Sequence, residues 1–299
     1  TVKSEIEKLE RAIGDCAETL DYSENNFVAL PKGMRRAAKM NDIQKVIDWL
    51  GPPPVDKQRI NARDPDFMNL TLLDIAVTHN HSNLISILLQ FGADVDPVDA
   101  AGMTPLGQFG DKPEYYAQAR LLLEWGAEIS NCPHYKSKDE FIQEALEEDN
   151  SKLANLLTSE SGGRRCEIIN LPNHPDLIGK TCVVEKYLPD KGRYKVIFEM
   201  SKEVGLVGPE NLARRDRTPD DCGYYISYEN GRTTRRDFAS KEECQAFQAS
   251  LAEEDSKAEA RAEQAAASLL AELSIESSTD VRNKKKGKQK GKGKKKGRK

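Results

Sequence analysis

The chain contains four histidines and six cysteines, the residue types best able to bind a metal, move a proton or attack a substrate. Two of the histidines, His79 and His81, stand together in TLLDIAVTHNHSNLISILLQFGAD, Thr71 to Asp94. Side chains at i and i+2 on a helix do not face each other, so this spacing builds no two-histidine clamp. Cys16, Cys132, Cys166, Cys182, Cys222 and Cys244 are scattered, with no C-x-x-C pair and no zinc-like cysteine–histidine spacing. Free thiols are the expectation. His174, in PNHPD, has no nameable partner, and Glu147, Glu148 and Asp149 read as a solvated helix face because consecutive positions diverge by about 100°. G-x-S-x-G, the phosphate-binding G-x-x-x-x-G-K-[ST], H-E-x-x-H and the dinucleotide fingerprint are all missing from the sequence. No catalytic residue, metal ligand or cofactor is assigned, and a non-enzymatic role is expected.

The elements that carry these residues repeat. With Thr71 placed over Thr104, Leu88-Leu89 lies over Leu122-Leu123 and Gly92-Ala93 over Gly126-Ala127. NDIQKVIDWL (Asn41 to Leu50) and DNSKLANLL (Asp149 to Leu157) match the same segment further out, so about four units are readable, the outer two degraded. Ile85, Leu88 and Leu89 form an apolar stripe at helical spacing, small Ala76 allows close helix approach, and Gly92 supplies the helix stop. This pattern resembles the ankyrin repeat: TLLDIA and TPLGQF stand at the family's T-P-L-H-x-A, Asn80-His81 at G-H, and GADVD at the terminal G-A-D-V-N. The resemblance implies an α-helical solenoid over about 31–160, with His81 in a hydrogen-bond network between repeats. It also implies a concave binding surface made by finger tips and inner-helix ends: Phe67, Met68, Leu70, Thr78 and His79 in the best repeat, Ala101 and Met103 in the next. Phe67, Met68 and Leu70 are apolar where a solvated finger would be polar, so they form an interface or pack on the proline-rich finger at Gly51–Asn61. Gly107, Gly110 and Pro113 interrupt the third unit's first helix.

After SESGG (Ser159 to Gly163) the apolar period changes from helical to two. RRCEII, KTCVVEKYL, GRYKVIF and the run ending LARR are short β-rich segments. Their arrangement over 163–216 resembles an SH3-like barrel. In 217–251, Asn230-Gly231 signals a type I′ hairpin and Ser240 with Glu243 a capping box, which together predict a ββα appendage to the barrel or a small separate unit. Tyr224, Tyr225, Tyr228, Arg232, Arg235 and Arg236 read either as a basic aromatic surface for nucleic acid or as a solvated hairpin face.

The ends are different in kind. Ser4 to Ile13 reads as an amphipathic capping helix within 1–30, and TVKSEIEKLE has no apolar core of a secretory signal. Residues 252–280 hold an Ala/Glu-rich helix and a linker, and 281–299 a Lys/Gly-rich tail expected to be disordered. Residues 282–299 carry 12 Lys or Arg and no acid, so the overall charge of −4 hides a strongly dipolar chain. Lys284, Lys285, Lys286, Lys294, Lys295, Lys296 and Arg298 are the candidate contacts to nucleic acid or an acidic surface, unless the tail serves import or solubility. No window reaches the roughly 18 apolar residues of a membrane span. The sequence therefore points to an intracellular, cytoplasmic adaptor or scaffold, also nuclear if the tail directs import, that grips a protein partner through its repeats. The alternative is a nucleic-acid-, ribosome- or chromatin-associated factor dominated by tail and barrel.

Overall fold

A computed structural model of the chain describes residues 27–251 and, beyond them, 253, 256, 257, 260, 261, 264 and 265. The chain divides into two units, 1–248 and 249–299. In the second, the described residues are helical, consistent with the Ala/Glu-rich composition. The expected N-terminal helix and the basic tail lie outside the described residues.

The first unit begins with short helices in pairs. Helix α1 (Lys32–Lys39) buries Met34, Ala37 and Ala38, and α2 (Ile43–Leu50), capped by the Asp42 carboxylate, buries Ile43, Val46 and Leu50. A single turn, α3 (Lys57–Ile60), leads to α4 (Leu72–Thr78) and α5 (Ser82–Gln90). The turns between paired helices use one device three times. Asn41, Asn80 and Asp149 take positive φ, near 60°, which Asn and Asp tolerate better than other non-glycine residues. The residue that follows each of the first two by one, Asp42 and His81, donates its N–H back to Ala37 and Ala76, and Asn150 does the same to Ala145. His81 also places Nε2 2.9 Å from the Lys39 carbonyl, joining the start of α5 to the end of α1.

The repeat is visible in these turns, but the uniform solenoid it predicts is not present. Where the third inner helix is expected there is only a four-residue 3-10 turn, Leu106–Phe109, ahead of α6 (Tyr116–Glu124). Two glycines lower the helix propensity of this stretch, and both stand where a side chain would not fit. A Cβ at Gly107 would stand 2.7 Å from Cys132 Sγ, and one at Gly110 would crowd Phe141 and Glu144. The Asn150 side-chain amide secures the turn by donating to the Phe109 and Gly110 carbonyls. Helices α7 (Lys138–Glu147) and α8 (Ser151–Leu157) complete a mixed helical layer instead of a stack of equal pairs.

The period-two segments form an open antiparallel sheet: β1 (Arg165–Ile168), β2 (Thr181–Leu188), β3 (Arg193–Phe198), β4 (Val204–Val207) and β5 (Leu212–Arg214), in the order β4-β3-β2-β1-β5. A barrel is closed by pairing its first and last strands, whereas β4 and β5 are both edges. The expected SH3-like barrel is therefore absent. Edge strands of four and three residues offer too little ladder to close it. Cys166, Ile168, Cys182, Val184, Tyr194, Val196, Phe198 and Val207 make the sheet's own core.

The NG hairpin forms as the sequence predicts: β6 (Tyr224–Glu229) and β7 (Arg232–Asp237) flank Asn230 and Gly231, both at positive φ. It is not an appendage of a barrel. Gln90, at the end of α5, turns its side-chain amide onto β6: Nε2 donates to the Ile226 carbonyl at 3.2 Å, and the Ile226 N–H donates to Oε1 at 2.8 Å. One glutamine thus acts as the neighbouring strand that β6 lacks. Residues 241–251 form helix α9, whose Cys244 joins Cys222 and Phe238 in the core of the helical layer.

An ion network holds the layers together. Arg217, buried, reaches Glu124 of α6 at 2.8 Å and also Glu199, which follows β3. Arg165 of β1 reaches Glu199 at 2.8 Å and Asp221 at 3.2 Å, while Arg215 reaches Asp221 at 2.8 Å and Glu167 at 2.7 Å. Burial works to raise the Glu199 carboxyl, and the Arg217 and Arg165 guanidiniums outweigh it, holding it near 2.

Candidate protein-binding surface

Backbone hydrogen bonds join four segments that the sequence separates widely. Leu30 N–H donates to Arg63 and Arg63 N–H to Val28; Ala100 N–H donates to Met68; His134 N–H donates to Gly102. The second segment is a tight finger, Asp64 to Leu70, in which Asp64 N–H donates to Leu70 and Met68 and Asn69 both have φ near 55°. The third, Asp99 to Met103, is built by Asp99, whose carboxylate accepts from the Ala101 and Met103 N–H groups.

The finger tip presents apolar side chains to solvent: Phe67 is 55% exposed and Met68 46%, with Phe27 of the first segment at 48%. Cations hold them. The Arg63 guanidinium stacks on Phe27, 4.9 Å from the ring centre, and donates to the Asn69 and Val98 carbonyls. Arg35 sits 5.9 Å from the Phe67 ring and bonds the buried Asp64 carboxylate at 2.9 Å. Lys32 pairs with Asp66 at 3.2 Å. Aromatic rings, methionine and arginine on a hydrogen-bonded backbone are the composition of interface hot spots.

The other sequence-singled residues distribute as follows. Leu70 is buried and closes the finger from within, and Met103 is half-buried against the helical core. Ala101 is exposed at the next turn. Thr78 and His79 are exposed at the end of α4, with the Thr78 hydroxyl 2.8 Å from both the Asp74 carbonyl and Gln108 Oε1. The His79 ring lies 6.0 Å from that of His81, and desolvation, Lys39 and His81 all lower its pKa. The seven residues thus fall into tip residues and residues that support them or stand on the neighbouring helix end. Phe27 and Arg63 were not legible as partners because their ring stacking depends on a bridge between segments 36 residues apart. The seven tail residues lie outside the described residues.

Among the described residues, no group of three or more His, Cys, Asp or Glu is placed to hold a metal ion. His174 and the Glu147–Asp149 carboxylates are exposed. Within the described residues no helix is long and apolar enough to cross a membrane. No family model matches the chain, and no curated protein matches it.

Proposed function

We propose that this chain is a non-enzymatic protein-binding adaptor that engages its partner through the Phe27, Phe67 and Met68 tips. The observation that carries this reading is the exposure of Phe67 and Met68 on a finger whose backbone is internally bonded and pinned by Arg63 and Arg35. Solvating two large apolar side chains has a cost that docking against a partner removes. A rigid finger also loses little conformational entropy on binding. This surface replaces the concave groove of a solenoid; it is a row of turn tips whose lateral hydrogen bonds set their spacing.

The test is affinity capture from cell extract with the full chain, the Phe67→Ser/Met68→Ser variant and a truncation ending at Asp280, at low and raised salt, with and without nuclease. Proteins retained by the full chain and the truncation at raised salt, and lost by the double variant, support the reading. Truncation of a hot spot costs about 2 kcal/mol or more, roughly thirty-fold in affinity. Recovery that instead collapses with the tail, with salt or with nuclease makes phosphate attachment by the basic tail the operative contact.

A further inference from the structure

The fold of 217–248 brings together two thiols that the sequence spaces 22 residues apart: the Cys222 and Cys244 Sγ atoms are 3.6 Å from each other. Both residues are buried. Cys222 follows the 3-10 turn Pro219–Asp221 and leads into β6, its Sγ 2.5 Å from the Tyr224 carbonyl. Cys244 lies in the first turn of α9, where Ser240 Oγ accepts the Glu243 N–H and the Glu243 carboxylate accepts the Ala239 N–H. Gln248, one turn on, aims Nε2 at Cys244 Sγ at 3.8 Å. The contact between the thiols lowers Cys244 and raises Cys222, so one is the better nucleophile and the other the better proton holder.

A cavity of about 280 Å³ is lined by chain neighbours of the two cysteines and not by the cysteines themselves: Asp221 and Gly223 flank Cys222 on its wall, and Ser240, Lys241 and Glu242 precede Cys244 on it. Lys180 and Arg215 line the same cavity. The helix over the thiols is lightly held, since residues 241–243, 245 and 246 are exposed and only Cys244, Phe247 and Gln248 are turned inward. Elements with few buried contacts open locally at low free energy.

We propose that Cys222 and Cys244 are a redox-active dithiol that closes to a disulfide by exchange with a small anionic disulfide of the glutathione class. Cys244 thiolate attacks one sulfur of the reagent RSSR, forming a mixed disulfide and releasing RS⁻. Cys222 then gives up its proton and attacks Cys244 Sγ, forming the Cys222–Cys244 bond and releasing the second thiolate. Overall, two protein thiols are oxidised by two electrons while RSSR is reduced to two RSH. Lys180 and Lys241 on the cavity wall suit the carboxylates of such a reagent, while Arg215 is engaged by Asp221 and Glu167. The product ties α9 to the base of the β6–β7 hairpin. Cys166 and Cys182, directly opposite across β1 and β2, provide an internal contrast: burial pushes their thiols up to about 11 and about 12, leaving little thiolate to react.

The folded full chain, incubated with oxidised glutathione and then alkylated and digested without reduction, reports the outcome by mass spectrometry. The expected result is a cross-linked peptide pair containing Cys222 and Cys244, reversed by dithiothreitol, with two of the six thiols lost to alkylation. Cys222→Ser should trap glutathione on Cys244, while Cys244→Ser should leave Cys222 as reactive as in the untreated chain. Full alkylation of both cysteines after treatment, a glutathione adduct on wild-type Cys244 that never resolves, or a Cys166–Cys182 cross-link in their place overturns the proposal. The wild-type measurement stands by itself if either variant fails to fold.

Discussion

Replacing Asp74 by Asn should change how stability depends on pH more than it changes stability itself. Asp74 is fully buried in α4, and its Oδ2 accepts from the Thr71 N–H and hydroxyl while Oδ1 has no hydrogen-bond partner. Desolvation raises the carboxyl, the Thr71 bonds oppose this, and the result stands at about 7 against an ordinary 3.8. A raised folded-state pKa means that the native chain binds more protons than the unfolded one between these values. The stabilisation is therefore full below about 3.8 and is lost as pH rises through about 7. Three pKa units correspond to about 4 kcal/mol. From pH 5 to pH 8 the share lost is about 3 kcal/mol. Asn keeps an acceptor for Thr71 and cannot ionise. Urea unfolding at pH 5 and pH 8 should show the variant close to wild type at the lower pH and more stable than it at the higher by about 1–3 kcal/mol, the gain being trimmed by an amide left without an acceptor. An identical wild-type-to-variant difference at the two pH values would refute a neutral buried acid at Asp74.

Two further perturbations probe the joints between layers. Arg217→Met should cost about 3–5 kcal/mol, because Glu124 loses its buried cation and Glu199 one of its two, keeping Arg165. Glu199, held near 2, contributes stability present above about 4.5 and lost as pH falls toward 2; acid titrations of unfolding should show that dependence weaken in the variant. Gln90→Ala leaves the Ile226 N–H and carbonyl without their amide partner and should cost about 1–3 kcal/mol, with Ile226 losing hydrogen-exchange protection before the sheet does.

The paired helices, the NG hairpin and the strands after Gly163 are all legible along the chain, whereas Asp149, expected on a solvated helix face with Glu147 and Glu148, stands at positive φ in the turn after the helix. Each legible element rests on local chemistry: helical spacing of leucines, the Asn-Gly turn signal, period-two alternation. The finger residues Phe67 and Met68 are legible for the same reason, as apolar side chains in a turn. The solenoid and the barrel do not form because repeat and alternation describe segments, while stacking and closure depend on what those segments meet. Gly107 packs against Cys132 within a short 3-10 turn where a repeat helix is expected, and β4 and β5 remain edges although their sequences alternate as barrel strands would.

Local pattern thus decides the elements of this protein, and nonlocal contact decides its chemistry. Whether Gln90 completes a strand, whether Arg63 reaches Phe27 and whether Cys222 meets Cys244 all turn on partners 22 to 136 residues away. No period in the sequence encodes those distances. They follow from burying two cores and an ion network together, which puts groups with ordinary side-chain chemistry into surroundings that change it.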